Sequence, residues 1–329
     1  MNLTSTKSEP NTGIVIASHG ALAHVECDGT TVLCKVRKKV GAVACGDRVS
    51  WVSEEDGGGI IIAIAPRRNT LCRQIDSKKS KILAANIDQL LVTLEAPSQP
   101  ATDPWNMLDT LNLDRYIVAA EIARIMPAIV INKIDRLNSE QNASMQICLD
   151  LYRSLTYDVL TTSMRTQAGL DALRTQIRTR TSVIVGRSGV GKSSLANALI
   201  PGLDTKTGTL SAVTGLGRHT TTVATLYPIT GGGALVDSPG VREFQLSPCQ
   251  PANIAWGFRE FRPFFGHCRF NDCKHGDEPD CAIVEGTKTG AIHSNRYRNF
   301  QRIVQDTLQP IEGQRAKAAA ARRRHRSDE

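Results

Sequence analysis

Residues 181–200 read "TSVIVGRSGVGKSSLANALI". An apolar run, a glycine-rich loop and a second apolar run follow one another, which predicts strand, loop and helix in that order. The loop fits G-x-x-x-x-G-K-[ST] with Gly186, Gly191, Lys192 and Ser193. Its glycines let consecutive backbone N–H groups turn inward around a phosphate, and the helix aims its positive N-terminus at the anion. The whole segment Gly186, Arg187, Ser188, Gly189, Val190, Gly191, Lys192, Ser193 and Ser194 is therefore expected to cradle a nucleotide. Lys192 would neutralise the β- and γ-phosphates, and Ser193 would offer its hydroxyl to Mg²⁺.

Downstream, "GALVDSPG" ends an apolar strand on Asp237, where a carboxylate can hold the hydration shell of Mg²⁺. Pro239-Gly240 turns the chain so that the Gly240 N–H can face a γ-phosphate. Between the two motifs, "GLGRHTTTVATLYP" has the glycines and threonines of a switch segment. Thr221, with Thr220 next, is expected to reach Mg²⁺ only when the γ-phosphate is present. The later threonines also suit a strand edge.

Upstream, "AIVINKIDRL" places Asn132, Lys133, Ile134 and Asp135 at the end of another buried strand. Guanine presents two donors, N1–H and an exocyclic amine, on one edge, and the Asp135 carboxylate can accept both. Asn132 can bond the opposite edge and brace the phosphate loop, and the Lys133 stem can lie over the ring. A site that pairs a substrate's polar groups rejects an analogue lacking them. On the next strand, "YDVLTTSMRTQAGLDAL" offers Ser163 as the backing loop, with Met164 where alanine is usual. An ATP site with an accidental N-K-x-D is the rival reading.

All five elements of a GTPase are thus present in rotated order, the guanine reader preceding the phosphate loop. A parallel sheet tolerates this if old termini are joined and new ones opened. The rotated order, with "GRSGVGKSSLANAL", "GRHTTT" and "DSPGVREFQL", is similar to the circularly permuted GTPases of the RsgA (YjeQ) family, the ribosome small-subunit-dependent GTPases. The resemblance runs from "GDRVSW" to a C-terminal cysteine cluster.

The outer blocks have characters of their own. From Thr12 to Pro66 the short runs "GIVIAS", "LAHVEC", "TVLCKV", "RVSWV" and "GIIIAIA" alternate with turn signals, which predicts a small β-barrel of OB type. From Thr70 to Leu246 strands alternate with helices, as in a parallel sheet covered by helices. Near the C-terminus, "HCRFNDCKHGDEPDC" gathers Cys268, Cys273, His275 and Cys281. Three thiols and an imidazole suit a closed structural zinc site, with buried thiols beside an unrelated histidine as the alternative and His267 as a competing imidazole. The expected plan is multidomain: an OB barrel at 1–67, a permuted α/β GTPase at 68–246, and a mainly helical zinc-binding block at 247–329 with a basic tail.

The 329-residue chain carries a net charge of +8, which favours an anionic partner such as RNA. Nine cysteines without an apolar leader predict free thiols or metal ligands, a cytoplasmic location and no membrane span. The resemblance implies an OB-type barrel, one structural Zn²⁺ on the four ligands named, and Mg²⁺ bound with GTP. It further implies GTP hydrolysis to GDP stimulated by the small (30S) ribosomal subunit, and action on its rRNA late in subunit maturation; the alternatives are a GTP-gated RNA-binding module whose hydrolysis is incidental, or a permuted GTPase acting on another ribosomal RNA. The chain is expected to be a monomer. Val241 follows Gly240 where many GTPases carry a water-orienting glutamine, so an apolar group stands there. His219, beside the switch threonines, is the expected replacement, and the resemblance points the same way.

Overall fold

The computed structural model describes residues 10–74, 80–97, 103–200, 203, 224–237, 246, 249–276 and 278–308. Two compact units make up the chain. The first comprises Met1–Ala96, Ile125–Arg136 and Val159–Phe244; the second comprises Pro97–Arg124, Leu137–Asp158 and Gln245–Glu329.

In the first unit, strands β1 (Asn11–Ser18), β2 (Leu22–Cys27), β3 (Thr30–Val36), β4 (Arg48–Ser53) and β5 (Gly59–Ile64) close on themselves. The order is β1-β2-β3-β5-β4, with β4 returning to β1 and only the β3–β5 pair parallel. This is the five-stranded Greek-key barrel that the alternating runs predict. Alternation in the strands sends Val15, Val25, Cys34, Val49, Trp51 and Ile61 into its core. A hairpin not anticipated from the sequence, β6 (Thr70–Gln74) with β7 (Ser80–Ala85), follows the barrel. Asp47, fully buried, receives both arms of Arg67 at 2.7 Å and the Ala44 N–H at 2.7 Å, and Asn86 donates to the Gly46 carbonyl at 2.9 Å. These bonds fasten the barrel's loop to the segment leading into the α/β sheet.

That sheet runs β10 (Asp158–Thr162), β9 (Met126–Asn132), β8 (Gln89–Glu95), β11 (Thr181–Val185), β13 (Ala234–Asp237), β12 (Thr225–Pro228). The pairings of β8 with β9, β8 with β11 and β11 with β13 are parallel, and β12 is antiparallel. Strands β8 and β9 are buried at nearly every position, as parallel strands covered on both faces must be. Strand β12 also pairs with β1 through Ala17 and Thr225, so barrel and sheet share one hydrogen-bonded ladder. The chain enters at β8, steps outward to β9 and β10, then returns to the other side of β8 at β11. That reversal, at the carboxyl ends of β8 and β11, is where open α/β sheets bind ligands. Helices α3 (Leu170–Ile177) and α4 (Lys192–Leu199) pack Leu173, Ile177, Leu195 and Leu199 onto Leu91, Val130 and Ile184.

In the second unit, α1 (Thr110–Ile122) and α2 (Ser139–Ser154) join α5 (Pro251–Trp256), a 3-10 helix over Arg259–Phe264, α6 (Ala282–Lys288) and α7 (294–308). Phe258, Phe261 and Phe300 stack edge and face among Val118, Ile254 and Ile303. Arg296, fully buried, pairs with Asp114 of α1 and with Glu260 at 2.6 Å; Tyr152 of α2 donates to Asp114 at 2.8 Å. Asn299 donates to the same carboxylate at 2.7 Å. Among the described residues, no helix is long and apolar enough to cross a membrane.

Candidate functional site

The phosphate loop leaves β11 at Gly186, whose φ of 144° suits glycine. A Cβ there would stand 2.2 Å from the Thr93 carbonyl oxygen of β8, so the loop can only start this close to its neighbour without a side chain. Gly191 caps α4 at φ 97°, a left-handed conformation that suits glycine, and so the loop turns directly into the helix's N-terminus. The Lys192 ammonium lies across the loop, donating to the Gly186 carbonyl at 2.7 Å and the Arg187 carbonyl at 2.6 Å. Asp237 ends β13 one residue beyond the paired positions Val183 and Val236, at the carboxyl edge of the strand beside β11.

On β9, beyond β8, the segment expected to read guanine meets this loop directly. Asn132, buried at the end of β9, donates to the Val190 carbonyl at 3.0 Å and accepts from the Thr162 hydroxyl at 3.1 Å. A Cβ on Gly191 would fall 2.3 Å from the Asn132 amide nitrogen, so this glycine too is demanded by a close approach. Lys133, at φ 66°, donates to the Gly189 carbonyl at 2.5 Å and to Glu95 at 2.8 Å. Asp135 sits in the short turn Ile134–Arg136. Its carboxylate accepts the Ser163 hydroxyl at 2.5 Å, and Ser163 in turn accepts the N–H groups of Arg165 and Thr166 at 3.2 Å. The Ser163 bond is the chief influence holding the Asp135 carboxyl below its ordinary range, so it stands ready as an acceptor at neutral pH. Met164, at the position where the sequence departs from serine-alanine, packs against the core beside α3. The Ser163 hydroxyl that bonds Asp135 is present beside it.

The four sulfur and nitrogen ligands also converge. Cys268, Cys273, His275 and Cys281 bring their ligand atoms within 4.8 Å of one another. His275 Nδ1 lies 3.6 Å from both Cys268 Sγ and Cys281 Sγ, and those two sulfurs are 3.9 Å apart. Tetrahedral zinc, with bonds of about 2.3 Å to sulfur and about 2.0 Å to nitrogen, needs edges of roughly 3.5–3.8 Å. The donors fit. Burial pushes the Cys273 thiol up to about 12 and lowers the imidazole of His275, so a metal entering here displaces thiol protons and meets a neutral imidazole. The Tyr297 hydroxyl, 3.0 Å from the His275 carbonyl and 3.1 Å from that of Gly276, braces the ligand turn. No disulfide forms among the nine cysteines.

A family model described as RsgA GTPase matches residues 64–247. The chain is 42% identical over 303 residues to the small ribosomal subunit biogenesis GTPase RsgA of Azotobacter vinelandii, covering 91% of this chain and 86% of that one. It is also 42% identical to the protein of the same description from Pseudomonas aeruginosa, over 89% of this chain and 84% of that one. The chain belongs to the RsgA GTPase family. Among solved structures it is similar to YjeQ from Thermotoga maritima, with a TM-score of 0.74, 31% identity, and 91% and 99% of the two chains covered. YloQ, described as a circularly permuted GTPase, matches with a TM-score of 0.72 and 25% identity over 94% of this chain and 99% of that one.

For this RsgA-family chain the structure thus brings together the reader, its backing serine and the phosphate loop, and separately assembles the Cys₃His cluster. His219, Thr221 and Gly240 lie outside the described residues. Glu95 was not foreseen. It ends a strand buried at every other position and stands in register with Asn132, and that lone charge at the strand's exit was its only mark in the sequence.

Proposed function

We propose that the chain hydrolyses GTP to GDP and phosphate under stimulation by the small ribosomal subunit, in late maturation of the 30S particle and through contact with its rRNA. The observation that carries the nucleotide half is the bonding of the reader to the loop: Asn132 to the Val190 carbonyl and Lys133 to the Gly189 carbonyl. Base recognition and phosphate binding are thereby held in one frame, so a guanine nucleotide correctly seated at one end is seated at the other. The ribosomal half is supported by the names of relatives that align over nine-tenths of the chain.

In this reading Asp135 accepts guanine N1–H and the exocyclic amine, Asn132 and the Lys133 stem hold the base, and Ser163 fixes the carboxylate. Gly186 to Ser194 wrap the phosphates. Ser193 and Thr221 would hold Mg²⁺, with Asp237 behind its hydration shell; the ion would offset charge on the transferring phosphoryl group. Water attacks the γ-phosphorus as the bond to the bridging oxygen of GDP breaks. His219 orients that water, since Val241 has no polar atom for the task. Positioning and electrostatics supply the acceleration.

The Cys₃His cluster would hold one structural zinc with all four positions filled by protein, which leaves none for catalysis. The functional domains are the barrel at 1–67, the permuted GTPase at 68–246 and the zinc block at 247–329, acting as a monomer. The barrel binds rRNA, and the arginines Arg322, Arg323, Arg324 and Arg326 supply charge for its phosphates. Turnover measured alone, with small subunits, with large subunits and with whole ribosomes tests this reading. It requires stimulation by the small subunit; equal rates in all four samples contradict it.

A further inference from the structure

We propose that Glu95 is a positioning residue of the guanine site, a clamp on the turn that carries Asp135, and that it sets the rate of nucleotide release. The inference rests on the base-reading role given above to Asn132, Lys133 and Asp135.

Glu95 is the last residue of β8, the strand lying between the reader's β9 and the phosphate loop's β11. Its backbone is locked there: it pairs in register with Asn132, and the next residue, Ala96, donates its N–H to the Asn132 carbonyl at 2.7 Å. From this fixed base its carboxylate reaches Lys133 at 2.8 Å and Arg136 at 3.6 Å. Those two cations bracket Ile134 and Asp135, and the Arg136 N–H donates to the Lys133 carbonyl at 3.1 Å. One carboxylate therefore faces both ends of the turn whose middle bears the specificity residue.

An exposed ion pair ordinarily contributes little, because ordering two long side chains offsets the attraction. Here much of that ordering is imposed by other contacts. Lys133 is held by a left-handed backbone at φ 66° and by its bond to the Gly189 carbonyl at 2.5 Å. Glu95 closes the remaining freedom of the ammonium, and so fixes the lysine stem that covers the base. Its carboxylate contacts lie on the turn that carries Asp135, at Lys133 and Arg136, and not on the phosphate loop itself. Its influence falls equally on GTP and GDP, on affinity and release rather than on the chemical step.

The test uses the full chain with Glu95→Gln, Lys133→Met and the double variant, read by release of fluorescent GDP and by steady-state hydrolysis with small subunits. Glu95→Gln is expected to speed GDP release by about three- to tenfold, the scale of one or two partly exposed ion pairs. KM for GTP should rise by the same factor at constant kcat. In the Lys133→Met background the added change should shrink toward the smaller Arg136 contribution, because the principal partner is gone. Unchanged release in Glu95→Gln, or fully additive effects in the double variant, would overturn the clamp. Asp135→Asn, measured in parallel, separates the two ideas. If it leaves guanine preference intact, the base-reading assignment fails; if guanine preference is lost and Glu95→Gln is silent, only the clamp fails.

Discussion

Replacing Arg296 with Met should destabilise the second unit strongly, and more at high pH than at low. Arg296 and Asp114 are both fully buried, and Glu260 is nearly so. Methionine keeps the apolar stem, which packs near Phe258, with the guanidinium carbon 4.5 Å from its ring centroid, but removes the charge that two carboxylates face. Breaking a buried ion pair from one side costs about 3–5 kcal/mol. At roughly 3–5 °C per kcal/mol for a unit of this size, the melting temperature should fall by about 10–20 °C. The pH dependence follows from Asp114. Burial already raises its carboxyl above the ordinary range, and Arg296 is the largest influence pulling it back. Without Arg296 it rises further. A folded-state value above the unfolded one means that the folded state holds its proton where the unfolded state has lost it. Stability is then fullest at or below the unfolded value, near 3.9, and declines as pH rises through the folded value. The deficit relative to wild type should therefore widen between acidic and neutral pH, and Asp114→Asn added to Arg296→Met should recover part of it. Thermal melts followed by circular dichroism across pH check this. A deficit below about 1 kcal/mol, or one that narrows as pH rises, would refute the reasoning.

Other outcomes follow from the same framework. Cys273→Ser removes one of four convergent ligands, so zinc should fall below one ion per chain by elemental analysis, and the wild type should lose secondary structure under a strong chelator. His219→Ala should lower subunit-stimulated turnover by about tenfold or more with little loss of GTP affinity; unchanged turnover removes histidine from the mechanism. Deletion of residues 315–329, which carry the arginine run, should weaken small-subunit binding at moderate salt, with the difference shrinking as salt rises. Equal affinity at every salt concentration contradicts a role for the tail.

The strands of the barrel and of the parallel sheet were legible because burial on one or both faces writes itself into period two or into unbroken apolar runs. The places of residues 186–194 between a strand and a helix, and of Asn132 at the end of another strand, were legible because both motifs are recognised by residue type together with position relative to a strand. Helix α2 was passed over, although Met145, Cys148, Leu149 and Tyr152 recur at helical spacing and Asn138 with Gln141 forms a capping box. Polar residues on the rest of its surface masked the stripe. The hairpin β6–β7 was missed because two short antiparallel strands carry too few residues to show a period. The Arg296 network could not be read at all: its members, Asp114, Tyr152, Glu260, Arg296 and Asn299, lie up to 185 residues apart and look like ordinary surface polar groups until the fold buries them. Glu95 belongs to the same class, since its meaning depends on which strand stands beside β9.

Base selectivity tests the central claim most directly, because the claim is that a reader placed before the phosphate loop in sequence still serves the same nucleotide. GDP and xanthosine diphosphate should be measured against wild type and Asp135→Asn, with ATP as competitor. Wild type should bind GDP, ignore ATP and reject the xanthine nucleotide. In Asp135→Asn, GDP affinity should fall by about a hundredfold or more and xanthosine diphosphate should gain relative to it, because an amide can donate to the oxygen that replaces the exocyclic amine. Displacement of GDP by ATP in the wild type, or an unchanged base preference in the variant, would contradict the account.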